Sequence, residues 1–182
     1  MPLSTVRTRK PIHHRSIQCH GYQREDGLWD IEGHLVDTKS YAFPNRERGE
    51  IAAGEPVHEM WLRLTVDDEL RVHEVEAMMD ASPFSICPAI TGRFEKLRGL
   101  RIGRGWRRCV NELLGGIKGC THLVELLGPV GTTAFQTIYP INSRRQKPAT
   151  AGKKPPIIDS CHALASDSEV VKNHWPEFYN GD

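Results

Sequence analysis

The segment LWDIEGHLVD, residues 28–37, constrains the fold of this chain most strongly, because its apolar and polar side chains alternate. A period of two is typical of a strand with one buried face and one solvated face. The preceding segment SIQCHGYQR is a suitable partner strand, and EDG between the two supplies a turn. The sequence therefore predicts an antiparallel hairpin that pairs residues 15–24 with residues 28–37.

A second hairpin is predicted by VHEMWLRLTV and LRVHEVEAMMD, which are separated by the turn segment DDE. One face of the first of these strands is mostly apolar and carries His58, Met60, Leu62, Leu64 and Val66. In the second strand the alternation shifts near His73, as it does at a β-bulge. We expect residues 57–66 to pair with residues 70–79. Before them, glycine, proline and charge predict a loop over 43–56.

Beyond Ser85 the apolar period lengthens toward that of a helix. One helical stripe consists of Trp106, Cys109, Val110 and Leu113. Gly115-Gly116 ends that helix, and a further helix begins near Thr121 and ends or kinks at Gly128-Pro129. The predicted fold class is α+β, with an antiparallel sheet of two hairpins and helices packed on one face.

The domain organisation follows from the distribution of apolar residues along the chain. We expect a mobile N-terminal arm over 1–14, an α+β domain over 15–141 and a basic flexible linker over 142–156. Residues 157–182 regain apolar side chains, so we expect this C-terminal segment to dock back on the domain. Ser166 or Asp167 is predicted to cap a short final helix.

Composition limits the classes of function. The chain has 24 Lys plus Arg against 23 Asp plus Glu, a net charge of +1, so no nucleic-acid partner is expected. No apolar run follows the basic N-terminus, so no signal peptide is expected. No segment reaches the roughly 20 apolar residues needed to span a bilayer, so no membrane partner is expected. Five irregularly spaced cysteines predict a reduced, cytoplasmic protein with free thiols. A homo-oligomer is compatible with this composition, and other partners stay open.

His58 is the most informative single residue, because it lies on the inward face of its predicted strand. A buried imidazole needs a hydrogen-bond partner or a ligand. Two interpretations stay open: a ligand or catalytic group, or a histidine at the rim that bonds a backbone carbonyl. The carboxylates Asp30, Glu32 and Asp37 are placed on the polar face of the neighbouring strand, where solvation explains them.

Cys87 and Cys120 both stand at predicted helix starts, in SICPAI and GCTHL. Unpaired backbone N–H groups there favour the thiolate, which binds metals and attacks electrophiles. His122 follows Cys120 in the first turn, and Gly119 is interpreted as giving the thiol backbone freedom. The alternative for both thiols is packing, which is also the interpretation for Cys19 and Cys109. Of the pair Cys161-His162, only one side chain is expected to reach a common site.

Four stretches, GLWDIEGHLVDTKSY, EPVHEMWLRLTVDD, GCTHLVELLGP and IIDSCHAL, resemble an uncharacterised bacterial domain-of-unknown-function family. This resemblance covers nearly all of residues 13–180 and implies no activity. Residues 56–130 also resemble the IscU/NifU iron–sulfur scaffold proteins in the order of hairpin, cysteine turn, helices, cysteine turn and helix. That likeness implies an IscU-like core in which three ligand positions converge. His58 then stands where those proteins have their first cysteine.

The predicted function is a cytoplasmic metal-binding protein with a mixed His/Cys site for zinc or iron, related to iron–sulfur scaffold proteins. Its ligands are drawn from His58, Cys87, Cys120 and His122. The first alternative is an enzyme in which Cys120 or Cys87 is the nucleophile and His58 or His122 the base, acting on a small acyl or electrophilic substrate. The second alternative is an interaction module in which the thiols only pack.

Overall fold

The computed structural model describes residues 7–145 and 154–181. The chain divides into two compact units, the first ending at Arg144 and the second beginning at Arg145. The described part of the first unit contains six strands. Their bounds are β1 (His13–Gln23), β2 (Trp29–Lys39), β3 (Phe43–Asn45), β4 (Gly49–Ile51), β5 (Pro56–Val66) and β6 (Val72–Ala81). Helices follow all six strands along the chain, so the first unit is α+β, as predicted.

Both predicted hairpins are confirmed. Strand β1 pairs antiparallel with β2, with Cys19 opposite Gly33, and β5 pairs antiparallel with β6. Strand β2 also pairs with β5, with Leu35 opposite Met60, so the hairpins join into one sheet in the order β1-β2-β5-β6. The predicted bulge is present as well. Thr65 pairs with Glu74 while Val66 pairs with Val72, which leaves His73 as the extra residue.

The prediction of a loop over 43–56 is wrong in part, because strands β3 and β4 form a small hairpin there. The side-chain oxygen of Asn45 accepts hydrogen bonds from the backbone N–H groups of Glu47 and Arg48, each at 2.9 Å, and so fixes the turn. Gly49 has φ 78°, a conformation that favours glycine. Ile51 anchors the hairpin, since its side chain is fully buried.

Helical segments fill the remainder of the first unit. They are a 3-10 helix (Cys87–Leu97), α1 (Trp106–Leu114), a short 3-10 turn (Gly116–Lys118) and α2 (Thr121–Arg145). Helix α1 ends just before Gly115-Gly116, as predicted. Gly128-Pro129 does not end α2, which runs for 25 residues with Pro129 and Pro140 inside it.

The core lies between one face of the sheet and the helices. Trp29, Ile31 and Leu35 of β2 are at most 1% exposed, and they belong to one cluster with buried residues of β5, β6, α1 and α2. Helix α2 lies directly on β2, because a Cβ atom at Gly33 would come within 2.6 Å of the Val130 side chain. This close approach matters for function, since it brings the first turn of α2 over the end of β2.

Two predicted boundaries shift by a few residues. Strand β1 begins at His13, inside the arm predicted over 1–14, and α2 continues to Arg145, beyond the predicted domain end at 141. Residues 1–6 of that arm and residues 146–153 of the predicted linker lie outside the described residues.

The second unit contains helix α3 (Glu169–His174), which is capped by Ser168. The Ser168 side chain accepts a hydrogen bond from the Val171 N–H at 3.2 Å, so the prediction of Ser166 or Asp167 as the cap is wrong. Ser166 is instead buried and donates its hydroxyl to Asp159. Docking of residues 157–182 on the first unit stays a prediction.

Candidate metal centre

Asp37 lies near the end of β2 on the face that points into the core, and it is 1% exposed. Its placement on the polar face of the strand is therefore wrong. The alternation of Trp29, Ile31, Gly33 and Leu35 continues through residue 37, and the register shift comes only after it, between Asp37 and Thr38. A buried carboxylate must be paired or must coordinate a cation, so Asp37 becomes the centre of the site.

His58 stands opposite Asp37 on the neighbouring strand β5. Its Nδ1 atom is 3.3 Å from Oδ2 of Asp37, yet the contact lacks hydrogen-bond geometry. Within the described residues, this nitrogen is a buried polar atom without a hydrogen-bond partner. Such groups are rare in folded proteins because each costs about 1–3 kcal/mol. The buried nitrogen therefore points to a ligand.

His122 reaches the same carboxylate from the first turn of α2. Its Nε2 atom is 3.8 Å from Oδ2 of Asp37. The rings of His58 and His122 lie against each other, with centroids 3.8 Å apart and planes inclined by 31°. Both imidazoles thus present one nitrogen to the same carboxylate oxygen.

Donor atoms of Asp37, His58 and His122 all lie within 4.8 Å of one another. In a tetrahedral zinc site with bonds of about 2.1 Å, neighbouring donors are about 3.4 Å apart. The contacts of 3.3 and 3.8 Å to the carboxylate are close to that spacing.

The protonation states of the three side chains at pH 7 favour binding of a cation. Burial and the neighbouring His122 lower the pKa of His58 to about 4, and burial and Arg15 lower the pKa of His122. Both rings are therefore mainly neutral at pH 7 and have a lone pair to offer. Burial alone raises the pKa of Asp37, but hydrogen bonds and the charge of Arg15 outweigh it, so the net pKa is lowered and the carboxylate is ionised.

Arg15 on β1 holds the carboxylate in place. Its Nε and Nη2 atoms donate to Oδ1 and Oδ2 of Asp37, both at 2.8 Å, and Nη1 donates to Glu125 at 2.6 Å. Nε2 of His13 lies 3.0 Å from the Oδ1 atom. Two carboxylates therefore face one guanidinium. Sequence reasoning missed Arg15, although it lies directly opposite Asp37 in the predicted hairpin.

Cys120 adjoins this group without belonging to it. Its Sγ atom is 3.9 Å from Nδ1 of His122 and 3.9 Å from Sδ of Met60. Its carbonyl accepts the hydrogen bond of the Val124 N–H at 2.9 Å, so Cys120 stands at the N-cap of α2. Gly119 has a packing reason of its own, because a Cβ atom there would lie 2.4 Å from the backbone oxygen of Leu114.

Within the described residues, no cysteine supplies a donor atom to the three-residue group. Cys87 begins its 3-10 helix, as expected, with Pro88 in the first turn, and it is partly exposed. A site shared by Cys87 and Cys120 stays a prediction. Cys19 packs against the core, and burial raises the pKa of its thiol, partly offset by a hydrogen bond with Thr133. In the second unit, Cys161 is exposed.

A cleft of about 430 Å³ lies elsewhere, at the start of α1. Its walls include Trp106, Phe135 and the arginines 107 and 108, and none of the three clustered residues lines it. Arg108 also pairs with Glu112 one turn away. We locate the candidate site by the donor geometry, because the cleft gathers no buried ionisable group.

In the described chain no helix combines the length and apolar character needed to cross a membrane.

No curated protein and no solved structure matches the chain. The IscU-like core is therefore not confirmed. One family model matches residues 13–136, which span β1 to the middle of α2 and include Asp37, His58 and His122. The chain thus belongs to the family described as "Protein of unknown function (DUF2889)".

Proposed function

We propose that this protein binds one divalent cation, zinc or iron, through Asp37, His58 and His122. The observation that carries the proposal is the convergence of three donor atoms within 4.8 Å, from two adjacent strands and one helix start. Two further features support it. Nδ1 of His58 is buried without a hydrogen-bond partner in the described structure, and two carboxylates share one guanidinium beside the site.

Two imidazoles and one carboxylate are a ligand set that suits zinc and iron(II). Three protein ligands leave at least one coordination position for water or a substrate, which is the arrangement of catalytic rather than structural sites. In such a position the ion would supply Lewis-acid chemistry. Arg15 donates to both oxygens of the carboxylate and so orients it, and Oδ2 is the oxygen that lies near both imidazoles.

The proposal narrows the predicted mixed His/Cys site. His58 and His122 stay in it, Asp37 joins them, and neither cysteine is required. A relation to the iron–sulfur scaffold proteins gains no support from the ligand set. Iron–sulfur clusters are held mainly by thiolates, whereas this group consists of oxygen and nitrogen donors. It favours a single ion over a cluster.

A second candidate function is an enzyme with a cysteine nucleophile. One observation favours it: Cys120 lies 3.9 Å from Nδ1 of His122, whose other nitrogen lies 3.8 Å from Asp37. This is the order of thiol, imidazole and carboxylate found in cysteine hydrolases. His122 would take the thiol proton as the sulfur adds to the carbonyl carbon of an acyl substrate, and would give it to the leaving group as the bond between that group and the acyl carbon breaks. An interaction module, the third alternative, would show neither metal binding nor thiol reactivity.

Equilibrium dialysis of metal-free protein, purified without a histidine tag, against Zn(II) or anaerobic Fe(II) tests the proposal. We expect about one equivalent bound to wild type, and at least a tenfold loss of affinity in His58→Gln and in His122→Gln. His20→Gln is the matched control, since His20 is exposed on the same sheet. Binding that is absent from wild type, or equal in all four proteins, would reject the site.

A further inference from the structure

The two ring nitrogens of His122 face two different sets of donors. Nε2 is directed at the carboxylate of Asp37, whereas Nδ1 is 3.9 Å from the sulfur of Cys120. That sulfur is also 3.9 Å from the thioether sulfur of Met60. The thiol of Cys120 therefore lies beside both a thioether and an imidazole nitrogen, on the side of His122 that the proposed zinc or iron site does not use.

The spacing of these donors suits three-coordinate binding. Metal–sulfur bonds of about 2.3 Å at angles of 120° place two sulfurs about 4.0 Å apart. With a metal–nitrogen bond of about 2.0 Å, a sulfur and a nitrogen lie about 3.7 Å apart. Both observed separations from Sγ are 3.9 Å, close to these values.

The chemistry of the donors selects the ion. Thiolate and thioether sulfurs are soft ligands that prefer Cu(I), whereas zinc and iron(II) accept carboxylate and imidazole. Met60 is 1% exposed, and both Cys120 and His122 are partly buried, so water has little access to the sulfurs. Carboxylate oxygens, which favour harder cations, belong to the other side of the imidazole.

We propose that Met60, Cys120 and Nδ1 of His122 form a second metal site, which takes a soft monovalent cation such as Cu(I). On binding, the thiol of Cys120 loses its proton to solvent and forms a metal–sulfur bond. The oxidation state of the copper does not change. This site shares His122 with the proposed zinc or iron site but does not depend on that site being occupied.

A consequence distinguishes the two sites. A neutral imidazole has one N–H group and one lone pair. A metal on Nδ1 therefore leaves the proton on Nε2, and a metal on Nε2 leaves it on Nδ1. Cu(I) and zinc therefore compete for the His122 side chain although their other ligands differ. Zinc bound through Nε2 leaves an N–H group on Nδ1 that faces the sulfur of Cys120, so Nδ1 can no longer bind Cu(I) at the second metal site.

Anaerobic titration of the metal-free full chain with Cu(I), against a chromophoric Cu(I) chelator, tests this site. We expect one tightly bound Cu(I) in wild type, at least a hundredfold weaker binding in Cys120→Ser and about tenfold weaker binding in Met60→Leu. Cys161→Ser is the control, because it removes an exposed thiol from the second unit. Met60→Leu nearly preserves side-chain volume, so it tests the sulfur even if Cys120→Ser fails to fold.

The outcome for His58→Gln separates this proposal from the first. If His58→Gln keeps its Cu(I) affinity and loses its zinc affinity, the two metals have separate sites. If wild type binds Cu(I) and no zinc, only the zinc or iron site is rejected. X-ray absorption of the Cu(I) form should show two sulfurs at about 2.3 Å. Equal Cu(I) affinity in wild type, Met60→Leu and Cys120→Ser would overturn the soft site, as would a loss in Cys161→Ser matching that in Cys120→Ser.

Discussion

Replacing Asp37 by Asn tests the electrostatic design of the site, because the amide keeps the shape and removes the charge. Arg15 then loses a bidentate ionic partner, although Glu125 still accepts one of its hydrogen bonds. Breaking a buried ion pair costs about 3–5 kcal/mol, and an exposed pair is worth about 0–1 kcal/mol. Asp37 is 1% exposed and Arg15 33%, so we expect a loss of about 2–3 kcal/mol.

Urea denaturation of the metal-free protein at pH 7 measures this loss as a change in the free energy of unfolding. Glu32→Gln is the matched control, because Glu32 lies on the other face of the same strand and is 36% exposed. It should change stability by less than about 0.5 kcal/mol. Zinc at 100 times its dissociation constant should add about 2.7 kcal/mol to wild type and nothing to Asp37→Asn. An Asp37→Asn protein as stable as wild type without metal would refute this account of the ion pair.

Three further predictions concern pH, packing and the C-terminal segment. The folded-state pKa of His58 is about 4 against 6.5 for an ordinary histidine, so the unfolded chain binds more protons in that window, and stability should fall as pH drops from 6.5 to 4. His58→Gln should flatten that slope in urea titrations, and an unchanged slope would contradict the assignment. Gly33→Ala places a Cβ atom 2.6 Å from the Val130 side chain, so it should lower the free energy of unfolding by about 1–3 kcal/mol in the same assay. Gly103→Ala is the control, because a Cβ atom there meets nothing within 4 Å. Equal unfolding midpoints in the two variants would disprove the close approach of the helix. If residues 157–182 dock on the domain, deleting them should lower the thermal midpoint by several degrees, and an unchanged midpoint would show that they do not.

The sheet was predictable because the alternation in β2 and β5 agrees with the turn residues next to them. The same alternation also places Asp37 on the core face. The error came from assigning carboxylates to solvent by residue type, when Arg15 opposite Asp37 removes most of the cost of burial. The small β3–β4 hairpin was missed because its strands are too short for a periodic signal.

For the site, residue type and position were sufficient for His58 and His122 but not for their partners. His58 could be placed on the inward face from the pattern of β5, and His122 at a helix start from the residues before it. Their meeting at Asp37 depends on the β2–β5 register and on the path of α2, which no local pattern encodes. Met60 was predicted as a core residue, and only the structure places its sulfur beside Cys120.

X-ray absorption at the zinc edge measures the ligand set of the zinc-loaded protein and so tests whether Asp37, His58 and His122 hold the ion. We expect one zinc per chain with nitrogen and oxygen neighbours at about 2.0–2.2 Å, including two imidazoles, and loss of that signal in His58→Gln. A zinc–sulfur distance of about 2.3 Å, or an unchanged spectrum in His58→Gln, would contradict the assignment of Asp37, His58 and His122 as the metal centre.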